Sequence, residues 1–278
     1  SKELTAGSMS VSDTGRVHYI SGVVQRIEPS GNELSPLIAG LSSPGLVTTY
    51  ENAAIAVQVD ANANAGYGAP QVVRVSAADT VDWTKTIERT DRCVSAHAIA
   101  STADVVVVAG AEGLLGSQTC SWGRGENVWV AALSPVDGRV LWSQVAADAL
   151  QRPDDTLVKD IAISPDGNIF LGGTFGLMAL RPDGSEIWYR EEPDNWRTFS
   201  AIEPLSETTI AMAEGSRIYL VDLSSGTEMG EWLTVDALQS ATMEFDGDES
   251  LYVVGQETLE SDSAYVQHAL PVVRWSPP

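Results

Sequence analysis

The chain has 278 residues, 44% of them hydrophobic, and Lys+Arg 16 against Asp+Glu 38 gives a net charge of −22. That composition supports a sizeable core and excludes a disordered chain, while the acidic field repels phosphate backbones and anionic membranes and excludes a nucleic-acid partner. No apolar run approaches the roughly 20 residues of a membrane span, and the sequence starts at Ser1 without a leader, which leaves room for a lipid anchor upstream of Ser1.

Short strand-like runs follow one another along the chain. From Ser8 come SMSVS, RVHYISG, VVQRIEP and ELSPLI; from Gly45 come GLVTTYEN, AAIAVQVD, QVVRVSA and VDWTKTI. From Cys93 come CVSAHAIAS, DVVVVAG, NVWVAALS and RVLWSQVA. The most regular unit is Lys159–Glu191: DIAIS, NIFLGG, LMAL and EIWYRE, separated by Pro165-Asp166-Gly167-Asn168, Thr174-Phe175-Gly176 and Pro182-Asp183-Gly184. Asp-Gly between such runs is a hairpin signal, because glycine supplies the positive φ that a tight turn needs. A fifth unit runs TFSAIE, TIAMAEG, RIYLVDL, EMGEWLT, and a sixth runs SATMEFD, LYVVGQE, LPVVRW.

The second strand of each unit begins near residues 17, 54, 105, 169, 209 and 251. A period of roughly 40 residues with four antiparallel strands predicts an all-β propeller of stacked four-stranded blades. Six blades fit the count, seven being the alternative, and residues 1–278 read as a single propeller domain. The sixth unit lacks a fourth strand, and Ser1-Lys2-Glu3-Leu4-Thr5-Ala6 resembles Asn32-Glu33-Leu34-Ser35-Pro36. The N-terminal strand is therefore expected to close the ring and hide a bare edge.

Ala132-Leu133-Ser134-Pro135-Val136-Asp137-Gly138-Arg139-Val140-Leu141-Trp142 resembles the repeat of the pyrroloquinoline-quinone-type (quinoprotein-like) propellers, and Ala179-Leu180-Arg181-Pro182-Asp183-Gly184 with Trp188 repeats it. Weaker echoes run from Val75 to Trp83 and from Val221 to Trp232. The resemblance implies that Trp83, Trp142, Trp188 and Trp232 dock between neighbouring blades. It does not extend to the quinoprotein dehydrogenases: the chain is too short for that larger ring and has no vicinal cysteine pair. No cofactor is expected. Asp246-Gly247-Asp248-Glu249 superficially looks like a calcium loop but lacks the further spaced oxygen ligands, so it reads as a turn and no metal site is assigned.

Cys93 and Cys120 are the two cysteines. In a propeller both fall on loops of one face, and a bridge between them would stabilise by roughly 3 kcal/mol. The expectation is a Cys93–Cys120 disulfide in an oxidising compartment (periplasmic, cell-surface or secreted), two reduced buried thiols being the alternative. His18, His97 and His268 show no metal spacing.

Three second-to-third-strand connections are long: Asp60–Pro70, Ala111–Asn127 and Gln256–His268. They carry Tyr67, Trp122 and Tyr265 among acidic and small polar residues, a mixture suited to contact surfaces. The same face should receive the innermost strands, with His97, Lys159, Asp160, Trp196, Arg197 and Gln239 at a central funnel. Lys159 and Arg197 are candidate anion anchors, and ordinary channel lining is the plainer account of them. The expectation is an exported binding or scaffold module, presenting a loop-rich acidic face to a protein or polar, glycan-like ligand and forming part of a cell-envelope complex. The alternative is a hydrolase or lyase acting on a glycan-like substrate at the funnel.

Overall fold

The computed structural model describes residues 9–12, 14, 16–20, 23–37, 40–41, 45–51, 53–60, 69–114, 127–147, 157–191, 199–214, 217–234, 238–245, 251–259, 266–269 and 273–275. Packing divides the chain into two compact units, Ser1–Thr156 and Leu157–Pro278.

The first unit holds three antiparallel sheets of four strands in simple up-and-down order. The first is β1 (Met9–Val11), β2 (Val17–Ile20), β3 (Val24–Ile27) and β4 (Glu33–Leu37). The second is β5 (Leu46–Tyr50), β6 (Ala53–Asp60), β7 (Ala69–Val75) and β8 (Val81–Thr86). The third is β9 (Arg92–Ser101), β10 (Val106–Leu114), β11 (Asn127–Leu133) and β12 (Val140–Ala147).

The second unit repeats the plan. Its first sheet is β13 (Val158–Ile163), β14 (Ile169–Gly173), β15 (Gly176–Leu180) and β16 (Glu186–Glu191). Next come β17 (Phe199–Pro204), β18 (Thr209–Glu214), β19 (Arg217–Asp222) and β20 (Glu228–Thr234). The last sheet pairs β21 (Leu238–Phe245) with β22 (Leu251–Leu259), and both β23 (Val266–Ala269) and β24 (Val273–Trp275) pair with β22. Its third strand is thus split, and no fourth strand lies beyond it among the described residues. The segment expected to fill that place, Ser1–Ala6, lies outside the described residues.

Consecutive sheets within each unit share a buried apolar layer. Ile20, Val24 and Leu37 of the first sheet meet Val47, Ala54, Ala56, Val73 and Val75 of the second. Ile55, Val57 and Val72 on the second sheet's other face meet Val94, Val106, Val108, Trp129 and Leu133 of the third. In the second unit Phe170 and Leu177 pack against Ile202, Ile210 and Met212, and Ile218 against Met243 and Leu251. Both faces of the middle sheets are covered, which explains their near-continuous Val, Ile, Ala and Leu runs in place of alternation.

Indole rings mark two of the junctions. Trp83 on β8 donates from Nε1 to the Pro135 carbonyl at 3.0 Å, and Trp188 on β16 to the Leu223 carbonyl at 2.8 Å. Each ring lies on the glycine of the turn it reaches: a Cβ on Gly138 would stand 2.5 Å from Trp83, and one on Gly226 2.8 Å from Trp188. The docking expected of Trp83 and Trp188 is met. Trp142 is half-buried on β12, and the Trp232 side chain lies outside the described residues.

Two expectations about connections are corrected. Gln256–His268 is not a single long loop, because β22 continues to Leu259 and Gln256–Leu259 pairs with Val266–Ala269. Cys93 is not on a loop but on β9, opposite Gly113. In the other long connections β10 runs on to Leu114 and β6 to Asp60. The ladder persists because Val128 to Asn127 still face Ala111 and Glu112 across the hairpin.

Candidate binding site on the bulged inner strands

The leading strand of four sheets carries the same defect. On β9, Ala96 pairs with Gly110 and Ala98 with Ala109, so His97 is the extra residue of a register shift. On β13, Val158 pairs with Gly173 and Asp160 with Gly172, leaving Lys159 over. On β17, Phe199 pairs with Glu214 and Ala201 with Ala213, leaving Ser200. On β21, Leu238 pairs with Glu257 and Ala241 with Gly255, leaving Gln239 and Ser240. These are β-bulges, and a bulge re-aims the extra side chain out of the strict in–out alternation.

Glycine on the second strand makes room for them. A Cβ on Gly110 would lie 1.8 Å from the Ser95 carbonyl oxygen, and one on Gly173 2.0 Å from that of Leu157. Such overlap forces backbone to move, so the bulges on β9 and β13 require glycine there.

In the second unit β13, β17 and β21 are neighbours, and Lys159, Ser200 and Gln239–Ser240 occupy equivalent places on them. Lys159 is exposed and Ser200 half-buried. The described side chains of the row, Lys159 and Ser200, offer one ammonium and one hydroxyl. Such a set donates and accepts hydrogen bonds to neutral polar groups and supplies one charge for an anionic one. His97 lies on the corresponding bulge of the first unit, half-buried, with Nε2 3.0 Å from Ser95 Oγ.

Asp160 differs from its neighbour Lys159. One carboxylate oxygen accepts from the Ile161 amide at 2.9 Å and the other from the Ile202 amide at 2.8 Å. Ile202 belongs to β17, an inner edge strand whose N–H groups on that side have no strand to pair with. Asp160 therefore ties one sheet to the next by satisfying an edge amide. A comparable stitch in the first unit uses hydroxyls: Ser10 Oγ meets Thr49 Oγ1 at 3.1 Å, and Ser101 Oγ donates to the Thr49 carbonyl at 2.7 Å.

The structure thus brings Lys159 and Gln239 into one row, gives Asp160 a packing task, and places His97 in the other unit. Cys93 is buried, and no cysteine among the described residues is free. Tyr67, Trp122, Trp196, Arg197, Tyr265, Cys120 and the Asp246–Glu249 turn lie outside the described residues. Among the described residues no group of three or more His, Cys, Asp or Glu side chains is placed to hold a metal ion. No helix of the described residues is long and apolar enough to cross a membrane. Sequence reasoning missed the bulges themselves. The signal was a glycine inside a second strand, present as Gly110, Gly173 and Gly255 beside three of the four bulges.

No protein-family model matches the chain, and no curated protein matches it. Solved structures do. The WD40 beta propeller domain of Doa1 is similar over 88% of this chain and 74% of its own, with a TM-score of 0.58 at 10% identity. The computationally designed Ika8 protein is similar over 89% of this chain and 67% of its own, with a TM-score of 0.58 at 10% identity. The fold is a β-propeller. At such low identity the likeness concerns architecture, and a propeller hosts many unrelated activities, so function has to be argued from the site. In propeller terms, β9, β13, β17 and β21 are the first strands of their blades, and the four bulges recur at one level of the repeat.

Proposed function

We propose that this propeller is a binding or scaffold module whose ligand contacts the bulged first strands of the second unit, β13, β17 and β21. The observation that carries the reading is the recurrence of an extra residue on β9, β13, β17 and β21, each polar: His97, Lys159, Ser200 and the Gln239–Ser240 pair. A defect repeated at one level of four blades places variable side chains there while the packed layers stay the same. The ligand is a polar, glycan-like molecule or a protein segment, with Lys159 and Arg197 meeting any anionic group it carries, and Trp196 and Tyr265 extending the contact face.

The proposal includes a single six-bladed ring over residues 1–278, closed by Ser1–Ala6 beside β24, and membership of the quinoprotein-like repeat family without dehydrogenase activity. The two indole-on-glycine docks, Trp83 on Gly138 and Trp188 on Gly226, support that membership. It also includes export to the periplasm, the cell surface or the medium as part of an envelope complex, with Cys93 bonded to Cys120; mass measurement with and without reductant tests that bond, and two free thiols would overturn it.

The test of the site uses an immobilised panel of neutral and acidic oligosaccharides together with an envelope-protein extract. A Lys159→Glu, Ser200→Tyr double variant should lose at least tenfold in binding to whichever probe the wild type retains. Lys85→Glu, on the exposed face of β8, should bind as the wild type does. Equal loss in both variants would point to bulk charge and sink the site.

A further inference from the structure

The first and second sheets meet through a polar seam found at neither indole-docked junction. Ser10, His18 and Arg26 are direct cross-strand partners on β1, β2 and β3, so their side chains share one face. That face is turned to the second sheet. Ser10 Oγ meets Thr49 Oγ1 on β5, and Arg26 Nη1 donates to the Ala77 carbonyl in the turn after β7 at 2.9 Å. His18 lies between them with 0% of its surface exposed; neither ring nitrogen makes a hydrogen bond of good geometry, although the Arg16 backbone favours a proton there. A poorly matched neutral imidazole is costly to bury, and a charged one in that place is costlier still.

Burial and the neighbouring guanidinium groups outweigh the Arg16 backbone, which favours a proton on the ring. Arg26, 8% exposed, uses Nε and Nη2 on the Ser35 carbonyl and Nη1 on Ala77, so neutral oxygens receive all of its bonds. Arg16, just before β2, has a buried, unpartnered Nε. Asp79, in the turn between β7 and β8, is the carboxylate that acts on Arg26. β5 faces the seam with Thr49, which carries no charge; Thr48 points the other way, to Ser101 of β9. Asp13, in the same connection as Arg16, lies outside the described residues.

We propose that this seam is a proton-operated latch: uptake of a proton by His18 releases the sheet β1–β4 from the sheet β5–β8. Protonation sets an imidazolium beside two guanidinium groups in a space shut off from water. The chain relieves this by opening the seam. The first sheet is the one that gives way because, among the described residues, it contributes Ile20, Val24 and Leu37 to its buried layer, whereas the third sheet anchors to the second through Val94, Val106, Val108, Trp129, Ala131 and Leu133. Release uncovers the apolar face of the second sheet at Val47, Ala54, Ala56, Val73 and Val75.

Hydrogen–deuterium exchange at pH 7.5 and pH 5.0, corrected for intrinsic exchange, reads the latch directly. His18 is lowered to about 4 from an unfolded value of 6.5, so the open form of residues 17–27 should become about 30-fold more populated at pH 5.0. Protection in β10 and β11 should stay within about threefold. His18→Leu should hold β2 and β3 equally protected at both pH values, and His18→Gln serves the same purpose if the leucine variant does not fold. A pH response of the same size in wild type and variant would overturn the latch. So would no response in the wild type, or a loss of protection spread evenly over β9–β12.

Discussion

Two junctions in the first unit solve one problem with different chemistry. In both, the turn between third and fourth strands offers the carbonyl of its second residue to the preceding sheet. At the junction of second and third sheets the Pro135 carbonyl takes the Trp83 indole N–H, and the ring lies on Gly138. At the junction of first and second sheets the equivalent carbonyl, Ala77, takes the Arg26 guanidinium. The equivalent left-handed position there is Asp79, with φ of 60°, where the later turns have Gly138, Gly184 and Gly226 at 69°, 88° and 68°. A side chain stands there in place of glycine, a carboxylate acting on Arg26. An apolar dock tolerates acid; a guanidinium–imidazole seam does not.

The comparison breaks most sharply at the indole. Trp83→Ala should cost about 3–5 kcal/mol in urea denaturation, while Trp83→Phe keeps most of the packing and should lose about 1 kcal/mol with the hydrogen bond.

Acid acts on the other junction. The His18 value is depressed mainly by burial and then by Arg26 and Arg16, to about 4 against 6.5 when unfolded. The unfolded chain therefore takes the proton first. Stability is untouched above pH 6.5, falls as the pH drops from 6.5 to 4, and levels off below, for a total near 3 kcal/mol. In His18→Leu, denaturation curves across that window should lose this slope; an unchanged slope would assign it to other groups.

A smaller effect is expected where a neighbouring sheet is stitched by one carboxylate. Asp160→Ala frees the Ile202 and Ile161 amides and should cost about 1–3 kcal/mol; Asp160→Asn should recover part of it. The smallest concerns Asp137, Asp183 and Asp222. Hydroxyl and amide donors of their own turns, from Ser134 and Arg139, Ser185, and Ser224 and Ser225, hold these carboxyls below the usual range. Their contribution is present above pH 4 and is lost only in stronger acid. NMR titration should show them ionised at a pH where the first junction is already open.

Much of this architecture is legible in the sequence. Second strands expected near residues 17, 54, 105, 169, 209 and 251 begin at 17, 53, 106, 169, 209 and 251, because Gly, Pro and Asp mark the turns and apolar runs fill the layers. The docking of Trp83 and Trp188 was legible through the resemblance of their turns to the quinoprotein-like repeat, which implies it. The site was less so. A bulge shifts the register by one residue, and no period-two pattern distinguishes Lys159 from a mispaired strand end. Asp160 looks like a funnel residue until its partner, the Ile202 amide 42 positions away, is known. His18 reads as an ordinary inward strand residue, since its character depends on Arg26 across the ladder and on Thr49 of β5.

The bulges separate two kinds of change that are normally entangled in a sheet. Substituting a paired strand residue alters a packed layer, and inserting or removing one flips every later side chain to the opposite face. At Lys159 neither happens, since Val158 and Asp160 already pair with successive residues Gly173 and Gly172 on either side of it. The residue can be exchanged, or removed altogether, while Ile161 and Ile163 keep their orientation. Four blades with such a socket form a scaffold whose surface chemistry can be rewritten one position at a time, with the propeller beneath it left as it is.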